Sequence, residues 1–154
     1  MAKNSYVVAT GKGWIGHGIR SFADEIHDLL TGATEQIVMT AYLIRDDSII
    51  RDIDRASKRG VSIEIFYWDS DDMLVNRITV DRLSLMPKSD NIRIHPVREG
   101  RLHAKVIVVD REIVLLGSAN LTYSAMTDNY ELGLIIKDGK IASDVIGLLL
   151  GLDS

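Results

Sequence analysis

The 154-residue sequence predicts a single α/β domain built around a mixed, largely buried β-sheet. Helical and strand patterns alternate through its first half, and strand patterns dominate its second half. No repeat, low-complexity stretch or linker divides the two halves. The apolar share of 46% and the charged share of 26% are typical of a globular protein with a substantial core. This length suits one domain, so we expect residues 1–154 to fold as a unit.

The first half of the chain alternates strands with helices that end near a glycine. β-branched and aromatic residues predict three strands, at residues 6–10, 36–44 and 61–68. Apolar residues at helical spacing predict two helices, at residues 19–30 before Gly32 and at 48–59 before Gly60. A glycine-rich loop over residues 11–18 joins the first strand to the first helix.

The second half is predicted to be richer in strands. Four strands are expected, at residues 91–97, 102–109, 112–116 and 130–136. Three helices are expected between and after them, at residues 73–86, 122–126 and 141–150. The turn at Asp110-Arg111 should return the strand that begins at Leu102 as an antiparallel hairpin.

Composition excludes several classes of protein. Without cysteine the chain has no disulfide framework, no thiolate nucleophile and no Cys-ligated zinc. The formal net charge of −4 argues against a generic basic nucleic-acid coat, although it leaves a local basic site open. No apolar run approaches the roughly 18 residues that span a bilayer, and the start lacks the apolar region of a secretory signal. We therefore expect no membrane span and a cytoplasmic location.

Four polar side chains between residues 103 and 120 are predicted to converge on one patch. Period-2 alternation places His103 and Lys105 on the same face of a strand, and the returning strand delivers Ser118 and Asn120, which also share parity. Lysine supplies a point charge, Ser and Asn supply hydrogen bonds to non-bridging oxygens, and histidine can act as nucleophile, acid or base. The set suits a phosphate, and Glu131 is the candidate carboxylate behind the imidazole.

The spacing of these residues resembles a known signature. His103-x-Lys105-x4-Asp110-x6-Gly117-Ser118-x-Asn120 is similar to the full motif of the phospholipase D superfamily. The continuation over residues 129–133 and the helix, glycine and strand of residues 48–68 also resemble that family. In size and single-motif layout the chain is most similar to the small bacterial endonucleases of the superfamily. The resemblance implies one catalytic domain whose mixed sheet is flanked by helices on both faces.

The resemblance also implies a mechanism. His103 would attack phosphorus and form a phosphohistidine, while Lys105 and Asn120 would hold the phosphoryl oxygens with help from Ser118. Glu131 would bond the far ring nitrogen of His103. Asp110 belongs to the motif chiefly as a structural residue that ties down the turn. No metal or other cofactor is expected, because Lys and His supply the positive charge.

The mechanism requires a second histidine to protonate the leaving oxygen, and the chain carries one motif copy. None of the other histidines has a lysine two residues later; these are His17, His27 and His95. A homodimer that places two His103 side chains across one phosphate is therefore expected.

A basic stretch leads into His103. It contains Lys88, Arg93, Arg98, Arg101 and Lys105 against the acidic Asp90 and Glu99. One interpretation is a surface that tracks the phosphates of a nucleic acid, with Arg98 and Arg101 as substrate-binding residues. The alternative is a solvated face without a specific role.

Other motifs are interpreted as structural. Residues 11–16 match G-x-G-x-x-G after a strand, but Glu35 precedes the second strand instead of ending it, so a flexible loop near the substrate groove is favoured over dinucleotide binding. A solvated loop is favoured over a metal site at residues 69–72. The histidines and tryptophans outside the motif are expected to be structural or loop residues, with base stacking as the alternative for Trp14 and Trp68.

Together these features predict a homodimeric, metal-independent phosphodiesterase, most simply a nuclease that acts on DNA or RNA with little sequence specificity. Two alternatives remain open. One is a phospholipase D-type lipid phosphodiesterase, which would need an exposed amphipathic or aromatic face beside the pocket. The other is a non-catalytic nucleic-acid-binding or dimerisation module of a larger defence system.

Overall fold

A computed structural model describes residues 4–70 and 73–153. The chain forms eight strands and five helices in these ranges, followed by one 3₁₀ turn at Gly151–Asp153. In chain order they are β1 (Ser5–Thr10), β2 (Arg20–Ser21), α1 (Phe22–Gly32), β3 (Gln36–Ala41), α2 (Asp47–Lys58), β4 (Ser62–Trp68), α3 (Met73–Ser84), β5 (Ile92–Val97), β6 (Val106–Val109), β7 (Ile113–Gly117), α4 (Tyr123–Thr127), β8 (Glu131–Lys137) and α5 (Gly139–Leu150). The predicted α/β class is confirmed.

All eight strands belong to one mixed sheet in the order β2-β1-β8-β7-β6-β3-β4-β5. Strands β3, β4 and β5 are parallel, and β6, β7 and β8 are joined by antiparallel pairings. It follows that β1, β3, β4, β5 and β7 run in one direction while β6 and β8 run in the other. The carboxyl ends of the first group therefore lie at the same edge as the amino ends of β6 and β8.

Helices cover both faces of this sheet, as expected. On one face, buried residues of α1, α2, α3 and α4 pack on the sheet, among them Phe22, Ile53, Leu83 and Met126. On the other face α5 packs alone through Ala142, Ile146 and Leu149 against strand residues such as Val108. Burial of alternate side chains of each central strand on opposite faces gives a continuous two-sided core.

Most predicted elements lie within two or three residues of the observed ones, but two strands are shorter than predicted. The strand expected at 102–109 begins only at Val106, and the one expected at 36–44 ends at Ala41. Thr40 explains the first difference. Its hydroxyl donates to the Ala104 carbonyl at 2.7 Å and accepts from the Val106 N–H at 3.1 Å, replacing backbone pairing there. Residues 102–105 therefore precede β6 and carry His103 and Lys105.

The edge opposite to these residues is fixed by the turn at Asp110-Arg111. Both residues have positive φ (54° and 57°), and the Glu112 N–H donates to the Val109 carbonyl at 3.1 Å, as in a tight two-residue hairpin. The Asp110 carboxylate accepts hydrogen bonds from three consecutive N–H groups, those of residues 34–36, at 2.8 to 3.2 Å. It thus ties the β6–β7 turn to the segment that enters β3.

Burial raises the pKa of Asp110, but the hydrogen bonds from Gln36, Glu35 and Thr34 outweigh it, so its pKa lies below the ordinary value. The folded state therefore favours the ionised carboxylate. Within the described ranges no helix is both long and apolar enough to cross a membrane.

Candidate phosphodiester site

Strand direction brings the predicted polar residues to one edge of the sheet. Ser118 and Asn120 follow the carboxyl end of β7, whereas His103, Lys105 and Glu131 precede or begin β6 and β8. Because neighbouring strands in a sheet are roughly 5 Å apart, these residues lie within a few strand spacings of one another. We call this edge, at the carboxyl ends of β1, β3, β4, β5 and β7, the site edge.

His103 and Lys105 are in direct contact at the site edge. The Lys105 Nζ lies 3.5 Å from each ring nitrogen of His103 and donates to the His103 carbonyl at 3.0 Å. The positive charge of Lys105, followed by burial and the charge of Arg101, lowers the pKa of His103 below 6.5. The exposed imidazole is therefore largely neutral near pH 7, the form that has a lone pair for attack.

Lys105 is half-buried, and its pKa is also lowered. Burial is the main cause, the negative charge of Glu131 acts in the opposite direction, and the charge of Arg101 lowers the pKa further. A cation that is partly removed from water is poorly compensated by solvent. A bound phosphate would stabilise this cation through charge-assisted hydrogen bonds, so Lys105 is suited to binding non-bridging oxygens.

Ser118 and Glu131 form a second hydrogen-bonded pair at the site edge. The Ser118 hydroxyl donates to Glu131 Oε2 and accepts from the Leu132 N–H at 3.1 Å. The other carboxylate oxygen of Glu131 accepts from the Asn129 amide at 3.2 Å. Among the described residues, the Glu131 carboxylate bonds Ser118 and Asn129 in place of the expected His103 ring, whose neighbour is Lys105. The segments after β7 and before β8 are instead held together through Ser118.

Asn120 faces a pocket with an apolar floor. Its Oδ1 atom is buried and has no hydrogen-bond partner in the part of the chain that the structure describes. The pocket is lined by Lys105 and Asn120 above and by Phe22, Ile26 and Leu115 below. An unsatisfied buried oxygen is unfavourable until a ligand or water completes it. The Asn120 carboxamide is thus available to a bound group, as the motif predicts.

Two glycines allow β7 and β8 to approach closely behind this pocket. Gly117 and Gly133 are register partners, and a Cβ on Gly117 would lie 2.8 Å from Gly133 Cα. A Cβ on Gly133 would lie 2.4 Å from Cζ of the buried Phe22. The phenyl ring fills the space that the missing side chains leave, and it fixes where Ser118 emerges from β7.

Tyr42 is the site residue that the sequence analysis missed. Its ring contacts His103 edge-on at a centroid distance of 4.7 Å, lies 5.2 Å from Lys105 Nζ, and stacks on Trp68 at 5.7 Å. The Tyr42 carbonyl accepts from the buried Thr79 hydroxyl of α3 at 3.1 Å, which fixes the backbone. Tyr42 directly follows β3, and a polar aromatic residue at the carboxyl end of a buried parallel strand is the signal that could have identified it.

The basic stretch before His103 does not form one surface. Lys88 precedes β5 and Arg93 lies near its start, whereas the carboxyl end of β5 reaches the site edge, about 20 Å away along the strand. Arg101 does reach the site: its guanidinium lies 5.1 Å from the Trp68 ring and bonds the Tyr42 hydroxyl. Arg98 pairs with Asp69 at 2.8 Å, which offsets part of its charge.

Asp110 lies at the far end of β6 from His103, so the structure does not bring it into the patch. Its contacts with residues 34–36 agree with the structural role in the motif. His27 bonds the buried Asp52 at 2.7 Å, and His95 stacks on Phe66 and lies 3.3 Å from Glu64. Both histidines therefore serve the scaffold.

The remaining motifs are placed as follows. The glycine-rich loop is followed by β2, and α1 begins only at Phe22, so the loop does not open a helix as a dinucleotide site requires. It lies at the site edge, after β1. In the acidic loop, Asp69 accepts from Asn76 and Arg98, while Asp71 and Asp72 lie outside the described residues. Among residues 4–70 and 73–153, no group of three His, Asp or Glu side chains is arranged to hold a metal.

Comparisons with known proteins agree on one family. A family model described as the PLD-like domain of cardiolipin synthase matches residues 26–149. Cardiolipin synthase A of Serratia proteamaculans is 32% identical over 90% of this chain, which covers 28% of that protein. The DISARM protein DrmC of Bacillus paralicheniformis is 30% identical over 87% of this chain and 57% of that protein. The chain thus spans between about a quarter and somewhat over half the length of these curated relatives.

Solved structures show the same fold. The phospholipase D family member Nuc of Salmonella typhimurium matches with a TM-score of 0.79 at 23% identity, over 96% of this chain and 92% of that one. NucT of Helicobacter pylori matches with a TM-score of 0.70 at 23% identity, over 84% and 86% of the two chains. At these identities the likeness concerns the arrangement of the backbone.

Proposed function

The chain belongs to the phospholipase D-like phosphodiesterase family, and from this membership we propose that it is a nuclease that cleaves phosphodiester bonds through a covalent phosphohistidine. The observation that carries the proposal is the pairing of His103 with Lys105 beside Ser118 and Asn120 at one sheet edge. A neutral imidazole, a partly buried ammonium and two neutral polar groups match the needs of a phosphodiester.

The reaction has two steps. A ring nitrogen of His103 attacks phosphorus, and the bond to the leaving oxygen breaks. The His103 of a second copy, whose protonated form the bound phosphate anion favours, donates the proton that this oxygen needs. Water then attacks the phosphohistidine, loses a proton to that second imidazole, and breaks the P–N bond. His103 is restored and a phosphomonoester is released. Lys105 and Asn120 hold the non-bridging oxygens, on which negative charge builds up in both steps.

The proposal includes a homodimer. One chain supplies one motif histidine, and the other three histidines lack the lysine two residues later. His103 is exposed at the site edge, where a second copy can approach it. A two-fold axis close to this edge would place both imidazoles on one phosphate.

Lipid phosphodiesters are the second candidate substrate, because two sources of sequence similarity favour them. The family model and the Serratia relative both carry the name cardiolipin synthase. A diester headgroup presents the same phosphorus and the same leaving oxygen to His103. The two substrates therefore differ in what the surface around the site must recognise.

One experiment separates the candidates. The protein is incubated in EDTA with plasmid, single-stranded DNA, RNA and phosphatidylglycerol vesicles, beside the variants His103→Ala and His27→Gln. We expect the protein to cleave polynucleotide in EDTA. His103→Ala should lose this activity and His27→Gln should keep it. Turnover of the lipid alone would assign the second candidate. Binding of nucleic acid without any turnover would identify a binding module.

A further inference from the structure

A second aromatic pair is exposed at the site edge, at the end where β1 meets β8. The rings of Trp14 and Tyr130 lie 4.9 Å apart at 57°, and they are 48% and 63% exposed. Neither residue belongs to the two core clusters. Leaving two large aromatic rings in water is unfavourable for a structural role alone.

The backbone holds this pair in place. Gly11 has a φ of +138°, and a Cβ at that position would lie 2.4 Å from the Tyr130 ring, so the ring packs directly on the backbone. The Tyr130 hydroxyl donates to the Lys12 carbonyl at 3.3 Å, and the Trp14 N–H donates to the Gly11 carbonyl at 3.1 Å. The glycine-rich loop is thus shaped around Tyr130, and it presents Trp14 beside it.

The position of the pair relative to the phosphate groups follows from the sheet. Thr10 and Glu131 are register partners, so the loop after β1 and the residue before β8 adjoin the Glu131–Ser118 pair. On the other side, Tyr42 follows β3 and Trp68 is the last residue of β4. With strands roughly 5 Å apart, each aromatic pair is about 10 Å from the centre between β6 and β7. A polymer lying along the site edge would pass both pairs.

The two aromatic pairs differ in whether other side chains of the protein already contact their rings. Tyr42 and Trp68 stack on each other and are covered by Arg101, and Tyr42 also contacts His103 and Lys105. Their rings already serve the site. The rings of Trp14 and Tyr130 contact each other and keep free area, which makes them the pair that can receive a flat ligand.

Resting on the nuclease function proposed above, we propose that Trp14 and Tyr130 form a base-stacking subsite, and that the substrate is a single-stranded nucleic acid. Unpaired bases offer their faces to aromatic side chains, whereas duplex bases are stacked inside the helix. A strand whose base stacks on Trp14 would lead its following phosphates past Ser118 toward Lys105. Lys12 in the same loop adds a positive charge on the path of the backbone.

The test uses binding and cleavage together. In the His103→Ala background, labelled oligothymidine and a duplex of equal length are titrated by fluorescence anisotropy against Trp14→Ala and Trp14→Phe. We expect Trp14→Ala to weaken single-strand binding about 5-fold to 100-fold, Trp14→Phe to retain most of it, and duplex binding to change little. Leu148→Ala removes an even more exposed apolar side chain from α5 and serves as the matched control.

Cleavage separates failure of this inference from failure of the proposed function. With His103 intact, Trp14→Ala should lower the ratio of single-strand cleavage to hydrolysis of bis(p-nitrophenyl) phosphate by a similar factor. If hydrolysis depends on His103 but Trp14→Ala leaves the ratio of single-strand cleavage to small-diester hydrolysis unchanged, the subsite is overturned. The proposed phosphodiesterase activity would then still stand. Absence of any His103-dependent hydrolysis would overturn the nuclease, while the binding titrations still decide on stacking.

Sedimentation of the same variants tests the competing explanation. If the pair were a contact between two copies, Trp14→Ala would weaken the dimer and lower binding of single strands and duplexes alike. That result would contradict the subsite. A dimer unchanged by Trp14→Ala, together with a selective loss of single-strand binding, would support it.

Discussion

Lys105 affects His103 through charge as well as through position. Its ammonium lies 3.5 Å from both ring nitrogens, so adding a proton to the imidazole would bring two positive charges together. Tyr42 contacts both side chains and keeps them adjacent. The same lysine that is suited to phosphate oxygens thereby also favours the unprotonated form of the His103 imidazole.

Replacing Lys105 by methionine is expected to raise the pKa of His103 toward 6.5, because the first cause of its lowering is removed. Arg101→Gln should raise the pKa of His103 by less, because the charge of Arg101 is the smallest of the three causes that lower this pKa. Chemical shifts of the imidazole protons followed against pH measure both, with His103→Ala to assign the resonance. Lys58→Met, on the distant helix α2, should leave the titration where it was. A titration unmoved by Lys105→Met would contradict the electrostatic coupling.

At this scale the sequence predicts which strand ends carry His103, Lys105, Ser118 and Asn120, because their spacing fixes those positions. It does not predict how they bond. Glu131 is half-buried with both oxygens bonded to Ser118 and Asn129, a choice set by the local path of two loops. Tyr42 escapes prediction because it belongs to the site only through the parallel pairing of β3 with β4, which joins residues distant in sequence.

Among the elements, the β6–β7 hairpin depends most on a single carboxylate. Asp110→Ala removes an acceptor shared by three backbone N–H groups and a Thr34 hydroxyl. We expect the free energy of unfolding to fall by about 2 kcal/mol, as measured by urea denaturation at pH 7. Asp90→Ala, an exposed carboxylate before β5, is the matched control and should change stability little.

The same carboxylate predicts a pH dependence. Its pKa is lowered in the folded state, so its contribution is complete above 3.8, the ordinary value, and is lost as the pH falls through the lowered value. The difference in unfolding free energy between the protein and Asp110→Ala should therefore narrow below about pH 4. A constant difference from pH 7 down to pH 3 would contradict an ionised anchor.

The close approach of β7 and β8 gives a further prediction. Gly133→Ala forces a Cβ into Phe22 and against the Leu116 carbonyl, and we expect a loss of about 1–3 kcal/mol in thermal or urea unfolding. Phe22→Leu in the same chain should recover part of this loss. Phe22→Leu should restore less of the stability that Gly117→Ala loses, because two of the three close contacts of a Cβ at position 117 are with backbone atoms. Equal recovery of both variants would show that the ring is not the obstacle.

Elements were predictable where side chains repeat with a clear period, as in α2, which begins and ends within one residue of its expected bounds. The predicted element boundaries were wrong where a side chain replaces the hydrogen bonds between backbones. Thr40 is one β-branched residue among several in β3, and nothing in its neighbours reveals that its hydroxyl bonds Ala104 and Val106. The two-residue strand β2 is too short to have a period, and it occupies what was expected to be the start of α1.

For the molecule as a whole, the sequence predicts an α/β fold but not the order of its strands. That order places β6 between β7 and β3, so a hairpin from the second half of the chain enters the sheet beside a strand from the first. Together with the strand directions, this order puts residues 42, 103 and 118 close together at one edge. Net charge is equally uninformative at this scale, since Arg101 and Lys105 lie at the site while Lys88 precedes the opposite end of β5.

If two copies share one site, activity should depend on assembly. Mixing the protein with an equal amount of His103→Ala and allowing subunits to exchange should leave about one quarter of the activity per chain, because only a quarter of the dimers carry two histidines. Independent single-chain sites would leave about one half. The rate per chain should also fall on dilution in step with the dimer fraction seen by sedimentation. Activity that scales with monomer alone would rule out the shared site.

The tight turn at Asp110 lies at the end of β6 away from His103, so the contacts that specify strand pairing lie apart from the residues of the proposed site. Substitutions near His103 therefore need not weaken the contacts that make the sheet assemble. Over evolutionary time such a layout is permissive. Loops at one rim can lengthen, shorten or exchange side chains while the other rim continues to direct folding, and new substrates become accessible through small changes in sequence.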